Sequence, residues 1–255
     1  MVKGLDLFRS FFAGYENCYA LIGGTACDLN FASVGLPFRA TRDLDVVLCV
    51  EALSADFFRH FWRFVIEGGY ERREKSNGGH RFYRFSHPRN PAFPMLLELF
   101  SRRPDFLPEG YGGAISPIPA GEEASSLSAI LLDDTYYRFI LDSRIIENGI
   151  SFISPAALIV LKAIAWLDLM GKREAGDMTV KARDVSKHKN DIARLTVLTA
   201  GEEPEIPPSI GATMALFMER YTKEKIDVAS LGLNMTHDQI CAELSRLLKR
   251  GQGLS

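Results

Sequence analysis

Two aspartates one residue apart, Asp43 and Asp45, stand at the start of an apolar run in the stretch RATRDLDVVLCV. Alternate residues of a strand point to the same side, so a strand here would place both carboxylates on one face. Carboxylates this close repel each other, and a cation between them removes the repulsion. The pair therefore indicates a cation site at the end of a buried strand. A solvated loop ahead of the strand is the plain alternative.

A third carboxylate, Glu98, lies between Leu97 and Leu99 in the middle of a second apolar strand, MLLELF. An ionised glutamate in a central strand is costly unless it is paired, so we expect it to have a partner. If this strand lies beside that of Asp45, three carboxylates converge at one sheet edge. Magnesium favours carboxylate, water and phosphate oxygens. A two-metal site of this kind would stabilise the attacking and leaving oxygens of a phosphoryl transfer.

A glycine turn, Gly23-Gly24-Thr25, follows another apolar stretch and precedes a helical pattern. Glycines let backbone N–H groups approach a phosphate closely, and the start of a helix favours an anion. The turn could therefore hold a phosphate near the carboxylates. Two glycines by themselves are more typical of an ordinary turn.

The elements that must position these residues form two halves. The chain has 47% hydrophobic and 24% charged residues and a formal charge of −2, which is typical of a globular protein without a global basic excess. Helical and strand patterns alternate through residues 1–153, and the pattern is helical through residues 154–255. One predicted helix begins near Leu5, and the others span residues 52–68, 156–170, 177–199, 209–224 and 236–250. The predicted strands lie before Gly23 and at 45–50 and 95–100, with hairpins at 70–86 and 127–140.

Cysteine spacing and hydropathy bound the cellular setting. The four cysteines show no metal-binding spacing, so a zinc site and a disulfide framework are not expected. Lys3, Asp6 and Arg9 interrupt the early apolar residues, and no apolar stretch is long enough to span a membrane. We expect a reduced, cytoplasmic protein without a membrane partner.

The segments GGTACDL, RATRDLDVVL and LLELF together resemble the nucleotidyltransferase superfamily. The form Arg39-x-Thr41-x-Asp43-Leu44-Asp45 is similar to the AbiEii-type toxins, which include the MenA-type transferases. Two later segments, PAALIVLKAIAWL and KHKNDIARL, resemble that group as well, so the resemblance covers roughly residues 18–195.

The resemblance implies an α+β fold: a nucleotidyltransferase-like, polymerase β-like mixed sheet with helices, followed by a helical C-terminal part. It implies domains at 1–153 and 154–255 and an EC 2.7.7-type enzyme that uses Mg²⁺, with two ions expected, and a nucleoside triphosphate. The implied catalytic and metal-binding residues are Asp43, Asp45 and Glu98. The implied nucleotide-binding residues are Gly23, Gly24, Thr25, Lys162, Lys187 and Asp191.

Lys162 has an argument independent of the resemblance, because it is the only charge between Pro155 and Leu167. A lysine among apolar residues must reach solvent or find a partner. A phosphate or carboxylate in a cleft is one reading, and an exposed stripe or a helix–helix seam is the other. The fourth segment departs from the family's Lys-Asp-x-x-Asp form, so Asp191 could instead be a structural partner of Lys162.

The acceptor of the transfer is not readable from these motifs. Residues 71–103 carry eight Lys/Arg against three Asp/Glu, and residues 162–194 carry eight against five. Such clusters could guide a tRNA to the site, or they could be two solvated faces. The leading hypothesis is transfer of a nucleoside monophosphate to a tRNA by an AbiEii-like toxin, which would have a cognate antitoxin. The alternatives are a small-molecule, antibiotic-type transferase and a non-catalytic domain that binds a nucleotide or a partner protein.

Overall fold

The computed structural model describes residues 2–49, 52–77, 80–101, 116–117 and 133–249, with only the backbone described at 72–77, 80–83, 101, 116–117 and 249. The helices are α1 Leu5–Phe11, α2 Gly23–Ser33, α3 Ala55–Gly68, α4 Asp134–Asp142, α5 Pro155–Glu174, α6 Ala182–Leu195, α7 Pro208–Tyr221 and α8 His237–Lys249. The strands are β1 Tyr19–Ile22, β2 Asp43–Leu48, β3 Glu71–Asn77, β4 His80–Ser86, β5 Leu96–Ser101, β6 Ser116–Pro117, β7 Arg144–Glu147 and β8 Ile150–Ile153.

The chain divides into two units. One comprises Met1–Ala120 and Ile140–Ile153 and is called the sheet unit here. The other comprises Gly121–Phe139 and Ser154–Ser255 and is called the helical unit. The predicted fold class, an α+β arrangement with a mixed sheet followed by helices, is confirmed. The assignment of separate domains to 1–153 and 154–255 stays a prediction.

The sheet runs in the order β6-β3-β4-β5-β2-β1-β8-β7. It is mixed, because β2 and β5, β1 and β8, and β3 and β6 pair in parallel while the other neighbours are antiparallel. Strands β2 and β5 lie in the middle, which explains why both are so apolar: a central strand is covered on both faces. The predicted hairpin of β3 and β4 is confirmed, and Gly78 and Gly79 of its turn lie outside the described residues.

Helix α1 packs aromatic side chains against both β1 and α3. Phe8 lies with its ring centroid 5.3 Å from that of Tyr19 and 5.8 Å from that of Phe64, in both cases edge to face. Rings packed in this way gain about 1 kcal/mol beyond the burial of their area. Helix α3 begins where the Ser54 hydroxyl accepts a hydrogen bond from the Phe57 N–H and ends at Gly69, whose φ is +62°.

Helix α2 is attached to the sheet by one buried amide. The Asn30 side chain donates to the Ala26 carbonyl at 2.8 Å and to the Ile153 carbonyl, at the end of β8, at 2.9 Å. A buried amide with both donor hydrogens used has a fixed orientation. Helix α2 is therefore held at a defined place beside the end of β8.

The helical unit is built on α5, which packs against α6 and α7. Pro155 stands in the first turn of α5, and the Ser154 hydroxyl accepts from the Ala157 N–H at 3.3 Å, as the sequence predicts. Within the described part of the chain, no helix combines the length and the apolarity needed to cross a membrane.

One predicted element is wrong. The sequence suggests a hairpin with Asp133 and Asp134 at its turn, but residues 134–142 form helix α4. The Asp133 carboxylate accepts from the Thr135 N–H at 2.7 Å, so it caps a helix instead of shaping a turn. Tyr137 and Ile140 are buried at the spacing of one helical face. Aspartate favours both structures for the same reason, a short acceptor beside the backbone. The first predicted strand of that hairpin, 127–132, lies outside the described residues.

Candidate active site

Three neighbouring strands of the sheet unit bring polar residues together. Asp45 of β2 is paired with Glu98 of β5, and Glu98 with Arg84 of β4, while Ile22 of β1 lies on the other side of Asp45. Residues directly opposite each other in neighbouring strands point to the same face of the sheet. Asp43 lies two residues before Asp45 and shares that face. The predicted convergence of three carboxylates is therefore present in the strand register.

The glycine turn approaches these carboxylates closely. Gly23 has a φ of +64°, and a Cβ built on it would lie 1.9 Å from Oδ2 of Asp45. A Cβ on Gly24 would lie 2.6 Å from Oγ1 of Thr41. Only glycine permits this contact at the first position, because it has no side chain and adopts positive φ without strain. The turn between β1 and α2 thus lies directly against the Asp45 carboxylate.

Thr25 positions an aspartate through the backbone. Its hydroxyl, in the first turn of α2, donates a 2.6 Å hydrogen bond to the main-chain carbonyl of Asp43, and the residue is fully buried. The bond fixes the first residue of β2 against α2. Ile22, at the N-cap of α2, makes no side-chain capping bond. The first N–H groups of a helix need acceptors, and an anion is a suitable one.

Glu98 is the most buried of the three acids, with 7% of its surface exposed. The Arg84 guanidinium donates to Oε1 of Glu98 from two nitrogens, from Nε at 2.7 Å and from Nη2. Burial raises the pKa of the Glu98 carboxyl above its ordinary value, the Arg84 charge and a hydrogen bond with Asp45 lower it, and the Asp43 charge raises it. Two carboxyl groups that share a hydrogen bond behave as one titrating pair. Asp43, Asp45 and Glu98, called the acidic row here, thus lie on two neighbouring strands, with the Arg84 guanidinium bonded to Glu98.

Two carboxylates of the acidic row fit the binding of a divalent ion. Among the residues that the structure describes, no three His, Cys, Asp or Glu side chains are grouped so that they could hold a metal ion together. The third acid, Glu98, is bonded to Arg84, and its predicted role as a metal ligand stays a prediction. Mg²⁺ commonly takes only one or two protein carboxylates and completes its shell with water and substrate phosphates. Asp43 and Asp45, which are half-buried on one face, supply such a set.

The remaining predicted residues belong to the helical unit. Lys162 of α5 and Asp191 of α6 form an ion pair, Nζ to Oδ2 at 2.9 Å, and are 5% and 0% exposed. Nη1 of Arg194 lies 3.8 Å from the other oxygen of the same carboxylate. The pairing that the sequence left open as an alternative is therefore present. Lys187 is half-exposed on α6. A role of these residues in nucleotide binding stays a prediction.

Arg84 is the residue that sequence reasoning missed. Glu98 was expected to have a partner, and the hairpin before it offers several basic residues. The register between β4 and β5 decides which one lies opposite, and a single sequence does not contain that register. A usable signal exists nonetheless: Arg84 stands between Tyr83 and Phe85 in the second strand of the predicted hairpin, where a charged side chain also needs a partner.

No family model matches the chain, and no curated protein sequence matches it. Among solved structures, the chain is similar to the crystal structure of an antigenic nucleotidyltransferase-like protein from Paracoccidioides brasiliensis. The two are 19% identical, the match covers 89% of this chain and 91% of the other, and the TM-score is 0.42. A likeness at this level does not assign the chain to a family.

Proposed function

We propose that the chain is a magnesium-dependent nucleotidyltransferase, which moves a nucleoside monophosphate from a nucleoside triphosphate to an acceptor hydroxyl. The observation that supports it most directly is the contact between the glycine turn and the acidic row. A phosphate-binding backbone and metal-binding carboxylates are useful to each other only when they are adjacent. Here Gly23 lies against Asp45, at the point where α2 begins.

The residues divide the chemistry as follows. The backbone N–H groups at the start of α2 donate hydrogen bonds to the triphosphate oxygens, with the positive end of the helix towards them. Asp43 and Asp45 would hold the Mg²⁺, which would supply positive charge to the phosphate oxygens when bound. Glu98 orients the acceptor hydroxyl and takes its proton.

The transfer takes place in one displacement at the α-phosphorus. The acceptor oxygen forms a bond to the α-phosphorus while the bond from that phosphorus to the bridging oxygen of the β-phosphate breaks. Pyrophosphate leaves with the electron pair of that bond, and the hydroxyl proton moves to the Glu98 carboxylate. The chain positions the reacting groups and places charge near the phosphates, and these two effects account for most of the rate enhancement of phosphoryl transfer.

For the acceptor we propose the 3′ end of a tRNA, in the setting of a cytoplasmic AbiEii-like toxin with a cognate antitoxin protein. The resemblance of the Arg39–Asp45 segment supports this reading, and so does the basic excess in residues 71–103 and 162–194. Arg81 of the first cluster is described only in its backbone, and Arg102 and Arg103 lie outside the described residues. In the second cluster Lys172 forms an ion pair with Asp168.

The experiment is a label-transfer assay on the purified chain with Mg²⁺, total tRNA and each of the four α-labelled nucleoside triphosphates in turn. The test variant is Asp43→Asn/Asp45→Asn. The matched control is Asp56→Asn, which neutralises an exposed aspartate at the start of α3, outside the acidic row. Omission of Mg²⁺ and addition of EDTA test the metal.

We expect label on RNA with the wild type and with Asp56→Asn, and at least a 100-fold loss in the double variant, because both metal-binding carboxylates are gone. Nucleotide binding without label on RNA would move the acceptor to a small hydroxylated molecule or a protein. No transfer to any acceptor and no metal-dependent nucleotide binding would overturn the proposal in favour of a non-catalytic domain.

A further inference from the structure

Arg84 reaches into the acidic row from β4. Its side chain is 28% exposed and that of Glu98 is 10% exposed. Two of its nitrogens donate to the same carboxylate oxygen, so the guanidinium is held to one atom of Glu98. The two residues are direct neighbours across the strands, which fixes their spacing through the sheet as well.

This pair differs from the exposed ion pairs of the same unit. Arg63 and Glu67 of α3 approach to 3.6 Å with side chains 58% and 51% exposed, and such pairs contribute little. Arg84 instead shields a buried acid that also shares a hydrogen bond with Asp45. An arginine that directs two charge-assisted bonds at a buried carboxylate sets where that carboxylate points.

The carboxylate that Arg84 holds lies on a different strand from the two aspartates of β2. Asp43 and Asp45 stand on β2, whereas Glu98 stands one strand further, between β2 and the guanidinium. A cation on each side of Glu98 would compete for its oxygens. The bonds to Arg84 are present, and no group of three acids able to hold an ion together exists among the described residues.

We propose that Arg84 is a positioning residue that takes Glu98 as its own ion-pair partner, so that the divalent ion is bound by Asp43 and Asp45 alone. Glu98 is thereby reserved for the acceptor hydroxyl. Arg84 acts through Glu98 and touches neither nucleotide nor acceptor. This assignment rests on the proposed function.

The first readout is the affinity for Mn²⁺, which is measured by electron paramagnetic resonance in the absence of nucleotide. Replacing the whole pair, Arg84→Met/Glu98→Gln, removes one positive and one negative charge, so the charge near the ion is conserved. We expect its Mn²⁺ affinity to stay within about threefold of wild type, while Asp43→Asn loses at least about tenfold. The matched control is Arg63→Met/Glu67→Gln, which removes the exposed pair of α3.

The second readout is label transfer. Arg84→Met is expected to lower kcat about 10- to 100-fold, the usual effect of removing a residue that orients a functional group, with the KM for the nucleotide within about twofold. Arg84→Lys keeps the charge and restores part of the loss. In a Glu98→Gln background, Arg84→Met has no further effect, because the two residues act as one unit.

A double variant that loses Mn²⁺ affinity as strongly as Asp43→Asn overturns the assignment, since Glu98 would then be a metal ligand. Additive losses of transfer in Arg84→Met and Glu98→Gln overturn it too. If Asp43→Asn leaves Mn²⁺ binding unchanged, or if wild type transfers no label to any acceptor and shows no metal-dependent nucleotide binding, the proposed function fails first, and the assignment falls with it. Should the double variant not fold, Arg84→Lys decides: lower kcat at unchanged Mn²⁺ affinity supports the assignment, and a tenfold weaker affinity overturns it.

Discussion

Two ion pairs stand in the interior of the two units, and they differ in what surrounds them. Lys162 and Asp191 are enclosed between α5 and α6 with almost no exposure. Arg84 and Glu98 lie in the middle of the sheet, with Asp43 and Asp45 on the next strand. The helical pair joins one ammonium to one carboxylate, with Arg194 close by, whereas the sheet pair lies beside two further carboxylates. The first arrangement suits a structural role and the second suits binding of a cation, because neighbouring carboxylates repel each other and favour a cation between them.

The largest effect expected from this comparison is on stability, in Asp191→Ala. The change leaves the Lys162 ammonium buried without the carboxylate that balances it. The free energy of unfolding should fall by about 3–5 kcal/mol, as it does when one partner of a buried pair is removed. Urea denaturation followed by circular dichroism measures it.

The control replaces both partners, Lys162→Met/Asp191→Leu, and should be within about 1 kcal/mol of wild type or more stable. The matched change in the sheet unit, Glu98→Gln, should alter the free energy of unfolding by no more than about 1 kcal/mol. It loses an ionic bond to Arg84 but also relieves repulsion from Asp43. If Asp191→Ala had the same free energy of unfolding as wild type, the contrast between the two pairs would be contradicted.

A smaller effect is expected at the turn, in Gly23→Ala. The new methyl group would strike Oδ2 of Asp45, and the positive φ strains any residue with a side chain. We expect a loss of about 1–3 kcal/mol in stability together with a clear loss of label transfer, because Asp45 must move.

Gly35→Ala is the matched control for the backbone term. Gly35 has a φ of +72° and nothing within 4 Å of its added Cβ. It should lose about 1 kcal/mol of stability from strain alone and keep transfer unchanged. Equal transfer in the Gly23→Ala and Gly35→Ala variants would show that the contact with Asp45 has no part in the reaction.

The smallest effect is on the pH dependence of stability, and its sign differs between the units. Burial raises the pKa of Glu98 above 4.5, whereas the hydrogen bond from Arg246 lowers the pKa of Glu243, in α8. The contribution of Glu98 to the free energy of unfolding is therefore fully present below pH 4.5, and it is lost as the pH rises through the raised pKa of this carboxyl. That of Glu243 is present above pH 4.5 and is lost as the pH falls through its lowered pKa.

Urea melts between pH 3 and pH 7 in EDTA would separate the two. The difference between wild type and Glu98→Gln should shrink with rising pH, and the difference between wild type and Glu243→Gln should grow. Parallel curves for both variants would mean that neither carboxyl changes its proton affinity on folding.

Local patterns were enough to predict most of the elements that form the site. Alternation and apolar runs located β2 and β5, and the glycines marked the start of α2. They placed Asp45 and Glu98 on strands without stating that the strands are neighbours. The adjacency came from the resemblance, and the structure shows the pairing.

What the sequence could not supply is register and context. Nothing in the hairpin distinguishes Arg84 from the arginines around it until β4 is aligned with β5. Lys162 could not be assigned to a phosphate or to a neighbour until α6 was packed against α5. Asp133 could serve a turn or a helix cap, and the burial of Tyr137 and Ile140 decided for the helix. In each case tertiary contacts chose between local options of similar energy.

The parallel pairing of β2 with β5 also has a consequence for the order in which the chain folds. Between these strands the chain must complete α3 and the β3–β4 hairpin, both of which rest on local contacts. Local contacts form early, and pairings between distant segments form late because a long loop must be closed first. We therefore expect Asp45 and Glu98 to meet later in folding than the hairpin forms. A chain in which β2 and β5 are not yet paired would keep these two carboxylates apart, so the chemistry we propose would require the paired sheet.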